Sequence, residues 1–447
     1  WLNKPTSLGY KGGDLLGIYE KLDYLQDLGI NAIYLNPIFQ SASNHRYHTH
    51  DYMKVDPMLG GDTAFKKLLK GAHKRNIRVV LDGVFNHCSR GFFQFNDILE
   101  NGPQSAYVDW FDIRGYPLHA YEGEPNYRCW WGLPALPEFN TTNPQVRNYI
   151  FSVAKYWVDQ GIDGWRLDVP FEIKDDSFWQ EFRRVVKKAN PDTYITGEIP
   201  MDANKWLAGD QFDGVMNYML SYGIWLYFGG SDANAASLGH WLNHAPGMGV
   251  LDLPKFVKHV ESMLTCYPKP AVLAQMNLLD SHDTARFLTT LNGRKDLFLL
   301  AVLFYMTYPG APSIYYGDEI GLDGGMDPDC RKAFPWDNNL WDAGILGFYQ
   351  KCISIRNAHP ALRTGEFLTL YAQDDVMVYL RRLDQDQVLV AFNRSGNTSH
   401  LNLPVSQYFV NGSVFKHELS SGVVAIQDGM IENLTLAPFS GVILNKV

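Results

Sequence analysis

The feature that most constrains the fold is a repeated alternation between short apolar runs and amphipathic helical patterns. Between the runs, apolar residues recur every three or four positions, as in "QVRNYIFSVAKYWVDQ" (145–160). This alternation predicts a parallel sheet with helices outside it, and continuous apolar strands are typical of strands buried on both faces. The runs are "NAIYLNP" (31–37), "IRVVLDGVFNH" (77–87), "IDGWRLDV" (162–169), "TYITGEI" (193–199), "FDGVMNY" (212–218), "AQMNLLDSHD" (274–283) and "PSIYYGDE" (312–319).

The number of apolar runs predicts an α/β fold of the (β/α)8 TIM barrel type. The seven runs are one fewer than such a barrel requires. The segment "LLGIYEKLDYLQDLGI" (15–30) has the pattern of the first barrel helix, and residues 1–14 do not resemble a strand. We therefore expect the first strand of the barrel to lie upstream of this chain.

Two regions depart from the alternation. Residues 89–143 show neither a helical nor a strand period, and a connection of this length after the third strand predicts an excursion domain. From residue 366 onward, the period-two patterns "VMVYLRRL" (376–383) and "QVLVAFN" (387–393) predict a C-terminal antiparallel β-sandwich domain. The predicted organisation is a catalytic barrel at 1–88 and 144–365, an excursion at 89–143, and a β domain at 366–447.

Composition excludes several classes of protein. Of 447 residues, 46% are hydrophobic and 19% charged, as in a globular protein. A net charge of -9 without a basic stripe argues against nucleic acid or an anionic membrane as a partner. The sequence has no apolar stretch of about 18 residues, so we predict no membrane span. The five scattered cysteines predict reduced thiols in a cytoplasmic protein and no metal site. Aromatic residues make up 14% of the chain, which fits either a large core or rings that stack on sugars.

Ionisable residues follow several of the predicted strands. In a (β/α)8 barrel, the C-terminal ends of the strands face the active site. Any single residue of this kind could be a helix cap or an ion-paired loop residue. Taken together, so many like charges around one pocket are costly unless they are used, so they predict a functional site. These residues are Asp82, His87, Arg166, Asp168, Glu198, His282 and Asp283.

Paired carboxylates of this kind suit glycosyl transfer. A retaining mechanism needs a carboxylate nucleophile and a protonated acid about 5–5.5 Å apart. Arg166 precedes Asp168 by two residues, so both side chains leave the strand on one face, and we expect the guanidinium to keep Asp168 ionised as a nucleophile. Glu198 follows an apolar strand and a glycine, a desolvated setting that suits the proton donor.

Four short motifs carry a family resemblance. The motifs "DGVFNH", "GWRLDV", "GEI" and "NLLDSHD" occur in this order at the ends of the third, fourth, fifth and seventh strands. They resemble the four signature regions of the α-amylase superfamily. The stretches "NHRYHTHDY", "QFDGVMNY", "IYYGDEIG" and "DPDCR" look most like the branch of neopullulanases, cyclomaltodextrinases and maltogenic amylases, with glycogen or maltodextrin debranching enzymes as a further candidate.

The resemblance implies a retaining hydrolase of α-glucans such as maltodextrins, pullulan or branched glucans. Cleavage of α-1,6 bonds beside α-1,4 bonds is expected from the departures of this chain from the family, described below. The resemblance also implies that Asp168 is the nucleophile, Glu198 the acid/base and Asp283 the stabiliser of the transition state. Such a mechanism requires no cofactor, while a structural calcium is compatible with the sequence. The substrate-binding residues that it implies are Tyr47, Asp82, His87, Arg166, His282, Asp327 and Arg331.

The chain departs from this branch after the acid. Relatives generally place a tryptophan two residues beyond it, where this chain has Pro200. Proline offers a smaller face and a fixed φ, so Pro200 either only shapes the loop or opens the acceptor side to long or branched chains. In "LPALPEF" (133–139), Ala135 and Pro137 replace polar residues of the branch. The branch's N-terminal β domain has no counterpart, so its dimer is not implied and the oligomeric state is undefined.

Two alternatives accompany the leading hypothesis. The same fold serves transglycosylases and cyclomaltodextrinases, and the choice between water and an acceptor sugar depends on packing that the sequence does not define. A non-catalytic protein with an amylase-like domain is the second alternative. The intact set of Asp168, Glu198 and Asp283 argues against it.

Overall fold

The structure, a computed structural model, describes residues 4–447, apart from the side chains of residues 235 and 240. These residues form two compact units. The first unit contains residues 8–199 and 203–215, and the second contains residues 4–7, 200–202 and 216–447. Among the described residues, no helix is long and apolar enough to cross a membrane.

The first unit is built on a parallel five-stranded sheet of order β1-β4-β5-β6-β7, beside a two-stranded antiparallel sheet of β2 and β3. Its strands are β1 (Ala32–Leu35), β2 (Phe39–Ser41), β3 (Thr49–Val55), β4 (Arg78–Gly83), β5 (Gly164–Leu167), β6 (Tyr194–Gly197) and β7 (Gly214–Val215). Its helices are α1 (Leu15–Glu20), α2 (Leu22–Leu28), α3 (Gly61–His73), α4 (Phe93–Asn101), α5 (Pro144–Asp159) and α6 (Asp176–Ala189).

The register of this sheet aligns the residues that follow its strands. Asp82 of β4 pairs with Arg166 of β5, and Leu167 pairs with Gly197 of β6. The ladder continues past the strand ends, because the Glu198 N–H donates to the Leu167 carbonyl at 2.9 Å. Asp168 and Glu198 therefore leave neighbouring strands at the same level, two residues beyond the level of Asp82 and Arg166.

Gly197 is required by close packing just before Glu198. A Cβ at this position would lie 2.8 Å from the ring of Phe212, which is closer than a side chain can approach. The glycine thus lets β6 approach the Phe212 ring, and the residue after it emerges from a fully packed strand end.

The second unit contains a parallel pair of strands, β8 (Met276–Leu278) and β9 (Ala311–Ser313), and an eight-stranded antiparallel sheet. The order of the large sheet is β10-β11-β12-β17-β14-β15-β16-β13. Its strands are β10 (Glu366–Gln373), β11 (Val376–Leu383), β12 (Asp386–Asn393), β13 (Ser399–Pro404), β14 (Val414–His417), β15 (Val423–Gln427), β16 (Met430–Leu436) and β17 (Ser440–Lys446). The helices are α7 (Tyr218–Phe228), α8 (Ala235–Leu238), α9 (Leu253–Met263), α10 (Lys269–Leu273), α11 (Phe287–Thr290), α12 (Lys295–Thr307), α13 (Ala343–Ala358) and α14 (Pro360–Thr364).

The period-two pattern of the C-terminal region corresponds to a buried sheet face. Val378, Leu380, Leu389 and Ala391 alternate with other residues along β11 and β12 and belong to one hydrophobic core. The inward residues of the later strands, such as Phe415, join the same core. The predicted C-terminal antiparallel β domain is therefore confirmed.

Three elements differ from their sequence-based predictions. The predicted first helix is interrupted at Lys21, which separates α1 from α2. The run at 212–218 forms only the two-residue strand β7, because the Asn217 side chain accepts from Leu220 N and begins helix α7. The excursion contains helix α4, whose buried Phe95 and Ile98 form a helical stripe too short to detect among so many aromatic residues.

Candidate active site

A buried arginine organises three carboxylates in the first unit. Arg166 Nη1 donates to both carboxylate oxygens of Asp82 at 3.0 Å and to Asp168 Oδ1 at 2.9 Å. Arg166 Nη2 lies 2.9 Å from Glu198 Oε2. The Arg166 side chain is 0% exposed, so these are desolvated, charge-assisted contacts. We call this set of Asp82, Arg166, Asp168 and Glu198 the Arg166 cluster.

The protonation of this cluster is set by burial and by its excess of carboxylates. Burial raises the pKa of the Asp168 carboxyl well above its usual range, Arg166 opposes that shift, and Glu198 and Asp82 add to it. The expectation that Arg166 keeps Asp168 ionised is therefore incomplete, because one guanidinium faces three acids. Neighbouring buried carboxylates do not all ionise together, so the Asp168 carboxyl holds its proton to a higher pH than an isolated aspartate does.

The peptide after Asp168 fixes the position of Glu198. The Val169 N–H donates to Glu198 Oε2 at 3.2 Å. To do so, Val169 adopts a left-handed conformation with φ 34° and ψ 48°, which is an outlier for a β-branched residue. The chain thus ties the two carboxylates together through the backbone as well as through Arg166.

Two tyrosine hydroxyls hold Asp82. The hydroxyls of Tyr34 and Tyr47 donate to Asp82 Oδ2 at 2.7 and 3.0 Å. Burial raises the pKa of both phenols well above the usual range, so they remain neutral donors. Tyr47 was predicted to contact the sugar, and the structure places its hydroxyl on Asp82. Tyr34 was not predicted, although it is a hydroxyl-bearing residue in an otherwise apolar run on β1, next to β4.

His87 stacks on a tryptophan that sequence reasoning missed. The His87 and Trp130 rings are 5.0 Å apart at 18°, and Trp130 stacks on Trp131 at 4.5 Å and 11°. Burial lowers the pKa of His87 to about 3, so its imidazole is neutral. His87 Nε2 is buried and has no hydrogen-bond partner among the described residues, which suits it to a substrate hydroxyl. The tryptophans lie in the aperiodic stretch "RCWWGLP" (128–134), where only the residue type was a signal.

The second unit brings together four other predicted residues, which we call the Arg331 cluster. Arg331 Nη2 lies 3.1 Å from Asp283 Oδ1, and Arg331 Nε lies 3.0 Å from Asp327 Oδ1. His282 Nε2 lies 3.0 Å from Asp283 Oδ2. The Trp241 indole, which was not predicted, donates to the Asp283 carbonyl at 3.0 Å. Asp283 is thus oriented by an arginine, a histidine and a fixed backbone.

Pro200 is buried, and the second unit holds its backbone. The Tyr222 hydroxyl donates to the Pro200 carbonyl at 3.0 Å. A buried ring with an engaged carbonyl favours the interpretation that Pro200 shapes the loop over the one that it contacts substrate. Its assignment as a substrate-binding residue remains a prediction.

Metal binding has no candidate among the described side chains. Among the side chains that the structure describes, no group of three or more His, Cys, Asp or Glu residues is placed to hold a metal ion. The carboxylates of the Arg166 cluster are engaged with the guanidinium instead. The expectation that turnover needs no metal remains a prediction.

Paired buried carboxylates beyond parallel strands, followed by an antiparallel β domain, match the arrangement expected of a glycoside hydrolase. The chain belongs to the α-amylase family. The family model of the alpha-amylase catalytic domain matches residues 5–351, and that of the neopullulanase-like C-terminal domain matches residues 367–444. The family resemblance, the fold class and the enzymatic class expected from the sequence are confirmed.

Relatives with known names agree with this family. A cyclomaltodextrinase from a Bacillus species is 46% identical over 88% of this chain and 68% of its own length. Neopullulanase 2 from Thermoactinomyces vulgaris is 41% identical over 99% of this chain and 72% of its own length. The crystal structure of a debranching enzyme from Nostoc punctiforme matches with a TM-score of 0.90 and 48% identity, covering 98% of this chain and 90% of that chain.

Proposed function

We propose that this enzyme is a retaining α-glucan hydrolase that cleaves α-1,4 and α-1,6 glucosidic bonds by double displacement. The observation that carries the proposal is the placement of Asp168 and Glu198 on the two terminal nitrogens of Arg166. Double displacement needs two carboxyl groups close together that share one proton between them. Both carboxyl groups face one buried guanidinium, and the raised pKa of Asp168 supports the retention of a proton in this cluster.

The roles of Asp168 as nucleophile and Glu198 as acid/base are those that the family resemblance implies. Glu198 donates its proton to the glycosidic oxygen while an Asp168 oxygen attacks the anomeric carbon, so the carbon–oxygen bond breaks and the leaving sugar departs as an alcohol. The Glu198 carboxylate then takes a proton from water, whose oxygen attacks the same carbon and releases Asp168. Two inversions at one carbon retain the α configuration. By resemblance, Asp283 stabilises the positive charge of the transition state.

The other residues of the first unit act as positioning groups. Asp82 binds both Arg166 and the hydroxyls of Tyr34 and Tyr47, so it fixes the guanidinium that holds the acid pair. Neutral His87 offers Nε2 as a hydrogen-bond partner for a sugar hydroxyl. Such preorganisation lets the site act on a substrate without rearranging its own charges.

The substrate range rests on the relatives. The names of the two curated relatives refer to cyclic maltodextrins and to pullulan, and the structural relative is named a debranching enzyme. Together, these names support cleavage of both α-1,4 and α-1,6 bonds. Transglycosylation, in which an acceptor sugar replaces water, is the alternative on the same fold. A cytoplasmic location remains a prediction.

The test is a product profile on three substrates: maltooligosaccharides, pullulan and a branched dextrin. We expect reducing sugar from all three, with the α anomer appearing first in an NMR time course. The variant Glu198→Gln is the control, and it should release nothing above background. Release of the β anomer first would contradict double displacement, and no release from any α-glucan would contradict the proposed function.

A further inference from the structure

We propose that the indole of Trp131 is a binding surface for a glucose ring of the substrate, at a position removed from the bond that is cut. This inference rests on the proposed function, because it names how the enzyme holds a long α-glucan. The geometry that carries it is a ladder of three stacked rings in the first unit, running from His87 through Trp130 to Trp131.

The ladder ends in a free indole face. Trp130 covers one face of Trp131 at 4.5 Å and 11°, yet 72% of Trp131 remains exposed. Burial in the core therefore does not explain this side chain. A large flat apolar face in water, backed by a second ring, matches the apolar face of a pyranose.

The backbone holds this indole in place at a conformational cost. Trp131 has φ 52° and ψ 24°, in the left-handed region that a residue with a Cβ rarely adopts. The flanking backbone is anchored, because Trp130 N donates to the Leu136 carbonyl at 3.0 Å and Leu133 N donates to the Trp130 carbonyl at 3.0 Å. An exposed aromatic residue in a strained but anchored turn is what a preorganised contact requires.

The other end of the ladder identifies the ligand class. His87 is buried and neutral, and its Nε2 has no hydrogen-bond partner among the described residues. A sugar hydroxyl on His87 and a pyranose face on Trp131 are separated by two ring-stacking steps. A single glucose ring cannot occupy both positions, so the surface should act on how many glucose units are held rather than on the bond that breaks.

Another exposed aromatic residue provides a matched control. Phe93, on helix α4 of the same unit, is 64% exposed and contacts Tyr107 edge-on. Phe93 belongs to no stack that reaches His87 among the described residues. Its removal should therefore reproduce any general effect of losing a surface ring without the effect on substrate.

The experiment compares kcat/KM for maltotriose and for maltoheptaose in four proteins: wild type, Trp131→Asn, Trp131→Phe and Phe93→Ala. Asparagine tolerates the left-handed backbone, so Trp131→Asn removes the ring without adding strain. We expect Trp131→Asn to lower the maltoheptaose to maltotriose ratio about fivefold, equivalent to about 1 kcal/mol. Trp131→Phe should restore most of the ratio, and Phe93→Ala should keep the wild-type value.

If the wild type is active and Trp131→Asn has the same ratio of kcat/KM for maltoheptaose to kcat/KM for maltotriose, this inference is overturned and the proposed function is unaffected. A second arm measures binding without turnover, as quenching of tryptophan fluorescence by maltoheptaose in Glu198→Gln. The double variant Glu198→Gln, Trp131→Asn should bind about fivefold more weakly. Equal affinity in both variants would overturn the inference about Trp131, even if the wild type proved inactive. An inactive wild type would contradict the proposed function, which is a separate result.

Discussion

The Arg166 cluster and the Arg331 cluster use the same chemistry in different surroundings. Each combines an arginine with carboxylates at distances of 2.9–3.1 Å. Arg166 is 0% exposed, whereas the side chains of Arg331 and Asp283 are 26% and 29% exposed. Water can therefore solvate the charged groups of the Arg331 cluster, but it does not reach the guanidinium of the Arg166 cluster.

This difference decides what each cluster can do. In a buried network, each charge depends on its partners, and loss of one leaves the others uncompensated. In a hydrated cluster, water replaces a lost partner at little cost. Burial of the Arg166 cluster thus alters the protonation of its carboxyl groups, whereas the Arg331 cluster holds Asp283 in place with water nearby.

The largest expected effect is on turnover. Asp168→Asn and Glu198→Gln should each lower kcat by at least about 1,000-fold, since each carboxyl makes or breaks a different bond. The circular dichroism spectrum and the cooperative melt should be retained. If either variant kept more than a tenth of wild-type kcat on maltooligosaccharides, the Arg166 cluster would not be the site of bond making.

The next effect compares the two arginines directly. Arg166→Gln should lower the free energy of unfolding by about 3–5 kcal/mol, because it leaves three buried carboxylates without a cation. Arg331→Gln should cost at most about 1 kcal/mol, as expected for a hydrated ion pair. Urea unfolding of the two variants at pH 7 measures both values, and equal costs would remove the distinction between the clusters.

A smaller effect concerns pH. The pKa of Asp168 is raised in the folded state, chiefly by burial. Between the ordinary pKa near 3.9 and the raised value, the folded state binds more protons than the unfolded state, so this group lowers stability as pH rises. Asp168→Asn should therefore gain stability relative to wild type as pH rises from about 4 to 7, and show no such gain below about pH 4. Thermal melts across this range measure the effect, and a variant that gains no stability relative to wild type as pH rises would contradict it.

The smallest expected effect is that of chelation. In the proposed mechanism, carboxyl groups act on the sugar directly and no metal ion takes part, so exhaustive dialysis against a chelator should leave kcat/KM on maltooligosaccharides within about twofold. A melt recorded on the same sample separates chemistry from stability. Loss of turnover in a chelated protein that stays folded would show that one cluster needs an ion.

Part of the Arg166 cluster could be predicted from the sequence, because the C-terminal ends of parallel strands lie at one edge of the sheet. Asp82, Arg166 and Glu198 each lie on or directly after an apolar strand, and the sheet register brings them together. The protonation of Asp168 could not be predicted, because it depends on how fully neighbouring elements exclude water. Burial of this kind is a property of packing rather than of spacing.

The His87–Trp130–Trp131 ladder shows the opposite case. Its tryptophans lie in a segment with no period, where residue order carries no information about which rings will meet. The left-handed turn that presents Trp131 depends on hydrogen bonds with residues several positions away, such as Leu136. Helix α4 was missed for a related reason, since its short apolar stripe lies among other aromatic residues.

The strained peptide at Val169 has a consequence for anyone who engineers this enzyme. Its left-handed conformation stores energy, on the order of 1–3 kcal/mol for such an outlier, so a glycine there is an obvious stabilising design. In this conformation the Val169 N–H donates to Glu198 Oε2. On the proposed mechanism, in which Glu198 is the acid/base, a glycine at position 169 would also loosen the backbone that positions Glu198, so we expect a gain in heat tolerance to come with a loss of activity.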